Sequence, residues 1–228
     1  KEMTLEYNTN LTNIQPRALE LWLNFKQVQF GISMDGIGAT LEYIRNPLKT
    51  KLMEKNLARL DEVGLEKLNF RAWIAFTIGA MNAFHFTDFL KWKIEQDFAI
   101  ISPMLKNNPK PFINVHPIHR PFELSTRFLP KDVKDQVRDK WEAFRTEFKT
   151  DIVNNINFHS LAKKNPMAMG SIKPANKEWA IMKMDQLLDS NLKFMYDEDW
   201  FTEENNKKFW NYNGKLDDIR KEQMQESL

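Results

Sequence analysis

The chain contains no cysteine, which removes disulfides, thiolate zinc sites, a cysteine nucleophile and any iron–sulfur cluster held by its own thiolates. Charge of one sign is lacking too: 33 Lys and Arg oppose 31 Asp and Glu, a formal net charge of +2. So small an imbalance raises no field that points to nucleic acid or to a membrane surface, and neither is expected as a partner. No stretch approaches the roughly 20 uninterrupted apolar residues of a bilayer span. The opening KEMTLEY has no apolar signal core, so a soluble, unsecreted protein is expected. Strand-forming residues begin almost at once after Lys1, which gives the sequence the look of part of a longer or processed chain.

What is present suits a globular protein. With 228 residues, 42% of them apolar and 28% charged, the chain is long enough for one full domain with a sizeable core. Met3–Thr9 alternates like a strand and runs into a polar cluster, Asn8 to Asn13. Helical spacing follows from Pro16 to Phe25, then a strand-like run from Val28 to Met34, closed by Asp35-Gly36-Ile37-Gly38. A helix is predicted from Leu48 to Val63 with Gly64 as its stop, then a strand over 68–78, a helix over 86–98, a strand over 112–118 and a long helix over 130–149. Strands alternating with helices predict βαβ units and a parallel sheet. After Thr150 the rhythm stops: a loop with Pro and Gly leads to a short helix over 179–188 and a polar, helix-prone tail, Asn205 to Leu228, expected to be partly free.

In parallel sheets ligands bind beyond the carboxyl ends of the strands, and polar clusters fall at those ends: Asn8, Thr9 and Asn10; Ser33, Asp35 and Gly36; Thr77 and Asn82; Asn114 and His116. His116 and His119 with His85 are a conceivable metal set, yet Pro117 separates the pair and no carboxylate completes a ligand spacing. A Ser33–Asp35–His triad has no Gly-x-Ser-x-Gly elbow. Trp22, Trp73, Trp92 and Trp141 read as core, whereas Trp200, Phe201, Phe209 and Trp210 lie in the polar tail, placed to anchor it or to meet a partner.

The string Ser33-Met34-Asp35-Gly36-Ile37-Gly38, with Glu42-Tyr43-Ile44-Arg45 and Pro47 behind it and Tyr7-Asn8-Thr9-Asn10 before it, resembles the radical S-adenosylmethionine superfamily, closest to a family with a twitch-type C-terminal extension. The likeness spans roughly residues 3 to 150. It implies a partial (β/α) barrel over 1–150, with 151–228 as a C-terminal extension. It also implies S-adenosylmethionine as cofactor, a [4Fe-4S] cluster, a peptide or small-molecule substrate, and a reducing cytoplasmic setting. By the same resemblance Arg45 pairs with the methionyl carboxylate, Ser33 donates to it, Asn10 contacts ribose or carboxylate, Asp35 shapes the turn and Asn82 faces the same ligand.

The family's cysteine triplet and first strands are absent, so the cluster would come from a segment or chain not present here, pairing with the strand at residues 3–7. Leu188 stands where an Arg is expected, and Leu11 follows Thr9-Asn10 where the family has Gly, so a left-handed turn is not expected there. The alternative is a barrel without catalytic function that serves as a binding or assembly module.

Overall fold

A computed structural model describes residues 2–67, 70–106, 112–158 and 173–221. Four parallel strands carry the fold: β1 (Thr4–Thr9), β2 (Gln27–Ser33), β3 (Phe70–Ile78) and β5 (Asn114–Pro117), hydrogen-bonded in that order. Helices α1 (Pro16–Trp22), α2 (Gly38–Ile44), α3 (Thr50–Lys67) and α4 (Phe86–Glu95) fill the crossovers. The two-residue strands β4 (Leu105–Lys106) and β6 (Lys173–Pro174) form a separate antiparallel pair. The chain continues with α5 (Lys131–Glu147), a π turn over Phe148–Ile152, the short α6 (Val153–Asn155), α7 (Lys177–Asp197) and α8 (Glu203–Arg220). The α/β class expected from the alternation is present.

The strand order never reverses, and parallel crossovers are right-handed in about 98% of cases, so successive helices are carried to the same face of the sheet. The burial agrees. Val28, Phe30 and Ile32 of β2 are fully buried, while Gln27, Gln29 and Ser33, pointing to the other face, are only half-buried. On that second face cross-strand register lines up Asn8, Gly31 and Trp73, and above them Ala75 and Asn114. β1 is an edge strand whose residues alternate between exposed and half-buried.

Three local expectations need correcting. Gly64 does not stop α3, which runs to Lys67. A Cβ there would lie 2.1 Å from Ile100 Cδ1 and 3.3 Å from Phe70 Cβ, so its place in the sequence answers to close helix packing rather than to a cap. Leu11 does adopt a left-handed backbone, φ 52°, without a glycine. Its side chain is buried, its N–H donates to Thr9 Oγ1 at 3.0 Å and its carbonyl accepts from Asn56 Nδ2 at 2.7 Å, contacts that offset the backbone strain. The helix expected over 179–188 is longer: α7 runs from Lys177 to Asp197, with Asn176 Oδ1 accepting from Trp179 N at 3.1 Å as its cap, and the helix-prone tail beyond it forms α8. The stretch from Lys163 to Ser171, Leu68 and the last seven residues lie outside the described residues.

Of the expected core tryptophans, Trp73, Trp92 and Trp141 are buried, while Trp22 is half-buried and packs against the core from its edge. Trp141 Nε1 donates to the Ala83 carbonyl at 2.9 Å, which pins α5 to the start of α4. Among the described residues no helix is long and apolar enough to cross a membrane.

Candidate functional site at the strand ends

Asp35 leaves the end of β2 and is 5% exposed. Its Oδ2 accepts from Arg45 Nε at 2.7 Å and lies 2.6 Å from Nη2, while Oδ1 accepts from the Thr77 N–H at 2.7 Å. Burial pushes the Asp35 carboxyl above its ordinary value, against the downward pull of Arg45 and the Thr77 amide. Arg45, at the C-terminal end of α2, keeps a quarter of its side chain in solvent, 26%. The surface pair with Glu42 that sequence spacing permits is not formed, because Glu42 takes Lys49 Nζ at 2.8 Å and the Thr50 N–H at 3.0 Å.

Asn82 holds the neighbouring turn shut. Its Nδ2 donates to the carbonyls of Asp35 and Thr77, both at 2.9 Å, and its Oδ1 accepts from the Gly79 N–H at 2.8 Å. One buried amide thus fixes the ends of β2 and β3 together. His85, at the start of α4, closes the other side: its Nε2 accepts from the Ile37 N–H at 3.1 Å, and Nδ1 faces Asp88 Oδ2 at 3.7 Å. Burial lowers the His85 pKa, with Asp88 pulling the other way, and an Nε2 that accepts from an N–H carries no proton of its own. Gly36, φ 156°, lies over this ring, where a Cβ would sit 3.2 Å from His85 Cδ2.

Of the residues singled out from sequence, Asp35, Arg45 and Asn82 therefore form one constellation. Ser33 and Asn10 stand beside it rather than in it: Thr9 pairs with Ile32, so Asn10 leaves β1 level with Ser33. Asn10 Oδ1 accepts from the N–H and hydroxyl of Thr12 at 3.3 and 2.9 Å. The histidines do not gather. His116 aligns with Thr77, His119 stacks edge-on against Phe194 at 4.9 Å, and no group of three metal-ligating side chains occurs among the described residues.

The helix-prone tail supplies the covering helix, as its aromatics suggest, although the polar contacts that dock it are not evident in the sequence. A cavity of about 170 Å³ lies between Asp35, Thr77 and Asn82 on the strand side and Tyr212, Leu216 and Arg220 of α8. Tyr43 Oη donates to Asp217 Oδ1 at 2.7 Å, and Arg220 Nη1 donates to the Tyr43 carbonyl at 2.8 Å. Phe209 packs on Phe128 with ring centres 5.4 Å apart, while Trp210 stays half-exposed. The tail aromatics thus anchor α8 across the strand ends. No family model and no curated protein matches the chain.

Proposed function

We propose that this chain is the C-terminal portion of a radical S-adenosylmethionine enzyme of the twitch type, and that the Asp35–Arg45–Asn82 rim receives the amino-acid end of S-adenosylmethionine. The observation that carries the reading is the convergence at the strand ends: Asn82 Nδ2 spans 47 residues to reach the Asp35 carbonyl, beside the carboxylate that holds Arg45. That is where parallel α/β sheets place ligands. The unreversed strand order, with one face sealed by apolar residues and the other carrying mostly polar, half-buried residues around Trp73, suits a (β/α) barrel segment, and it supports a partial barrel over 1–150 with 151–228 as its extension.

The donor chemistry fits the cofactor's charged end. A guanidinium anchored by Asp35 and partly open to solvent binds a carboxylate by charge-assisted hydrogen bonds. Ser33 and Asn10, level with each other beside the rim, supply neutral donors for carboxylate or ribose. The cavity is smaller than the roughly 300–1,000 Å³ of ligand pockets, so α8 has to move off the rim before a nucleoside enters. The chain's own residues do not fit an iron–sulfur cluster, since it has no cysteine. The ligands would belong to an N-terminal half, on the same or another chain, that pairs with the outer edge of β1 at residues 3–7. Substrate would be a peptide or small molecule and the compartment a reducing cytoplasm.

The latched α8 favours a second reading, a binding or assembly module without catalysis. Peptide and native mass spectrometry of the protein isolated from its source separates the two. A cysteine-bearing segment or companion bound at β1, released by Leu5→Pro, is expected. A chain that travels alone with no such segment would leave the module reading.

A further inference from the structure

A second cavity, of about 400 Å³, lies past the C-terminal end of α4, away from the Asp35 rim. Phe98, Met104, Phe112 and Ile156 give it apolar walls, and Lys93 lines it from α4. Lys93 is 2% exposed. Among the described residues its Nζ has one long hydrogen bond, 3.4 Å to the Ser102 carbonyl, and it faces the rings of Phe112 at 4.8 Å and Phe98 at 5.3 Å. An amine with three donor positions is poorly satisfied by that set. Burying a polar group with so few partners costs free energy.

We propose that Lys93 and this cavity form a site for a small carbonyl compound with an apolar body, an aldehyde or ketone, held as an imine on Nζ. The Nζ lone pair adds to the carbonyl carbon. The resulting carbinolamine loses the former carbonyl oxygen with both amine hydrogens as water, and no oxidant or reductant is needed. Geometry selects this class over a carboxylate ligand, because Glu95 and Asp151 stand in the cavity wall and repel an anion. Asp61 from α3 does not neutralise the amine by contact; its carboxylate accepts the N–H groups of Ala99 and Ile100 at 3.0 and 2.8 Å. Burial pulls the Lys93 pKa down to about 7, against the upward pull of Asp61 and Asp97. A far larger share of its amine is then free at neutral pH than the less than about 0.1% of an ordinary surface lysine.

The full 228-residue chain is treated with benzaldehyde and sodium cyanoborohydride at pH 7, and benzylated lysines are mapped by peptide mass spectrometry. Lys93 is expected to be labelled at least tenfold faster than the surface lysines, and to lose that advantage in urea. Excess benzoate is expected to leave its rate unchanged. Labelling no faster than the surface lysines overturns the proposal without the need for a variant, and slowing by benzoate overturns it in favour of an anion site.

Discussion

Arg45 and Asp35, ten residues apart, meet through both Nε and Nη2 of the guanidinium on a single carboxylate oxygen, at 2.7 and 2.6 Å. The arginine thereby ties the end of α2 to the end of β2, with the Asp35 carboxylate buried and Arg45 a quarter exposed. Removing one partner of such a pair leaves the other desolvated and uncompensated.

Arg45→Ala is accordingly expected to lower the unfolding free energy by about 2–4 kcal/mol in urea titration. Asp35→Asn combined with Arg45→Ala is expected to recover at least half of that loss, because no buried charge is then orphaned. Equal losses in Arg45→Ala and in the double variant would contradict an orphaned Asp35 charge, and Asp35→Asn alone completes the cycle that measures the coupling.

Gly64→Ala offers a different balance. The substitution gains about 1 kcal/mol of helix propensity, but the new Cβ lies 2.1 Å from Ile100 Cδ1, and overpacking costs roughly 1–3 kcal/mol. A net loss of up to about 2 kcal/mol is expected by the same titration. Ile100→Val, which deletes that methyl group, is expected to restore most of it in the double variant.

Lys93 sets a pH dependence of unusual sign. Its folded pKa, about 7, lies below the unfolded value near 10.5, so between these limits the unfolded chain binds the extra proton. Unfolding free energy therefore rises with pH from about 7 towards 10, by on the order of a few kcal/mol from this group. Lys93→Met is expected to flatten that slope and to raise stability at pH 7. Thermal unfolding at several pH values checks both, and an unchanged slope in the variant would assign the dependence elsewhere.

The latch of α8 is testable without a ligand. Tyr43→Phe removes the hydrogen bond to Asp217, worth about 1 kcal/mol, and is expected to speed amide exchange across Glu203–Arg220 about fivefold while α3 and α5 stay unchanged. Unchanged exchange in α8 would mean that Phe209 and its neighbours hold the helix without the latch.

Periodicity was enough to show the βα rhythm, because Val28, Phe30 and Ile32 alternate with polar residues and the helices carry apolar stripes. Turn chemistry was enough to place Asp35 and Gly36 at a rim. Long-range packing was not legible. Gly64 reads as a helix stop in one dimension and is a packing contact in three. The left-handed turn at Leu11 is held by Asn56, 45 residues away, which no local rule contains. His85 reads as a stray metal ligand, yet its position beneath Gly36 depends on β2 and β3 being neighbours. The tail reads as polar because the pieces that dock it, Phe209, Asp217 and Arg220, are spread thinly along α8.

The most direct test is S-adenosylmethionine binding by equilibrium dialysis or titration calorimetry, using the full chain with any companion that copurifies, compared with Arg45→Ala and with Arg45→Lys as the charge-retaining variant. Saturable binding is expected in the unaltered protein, weakened roughly 10- to 100-fold by Arg45→Ala, about 1.5–3 kcal/mol for a charge-assisted contact. Arg45→Lys is expected to fall between the two, because it keeps the charge and loses the fork. No binding by the unaltered protein, or equal affinity in all three, would contradict a cofactor site at the Asp35–Arg45 rim.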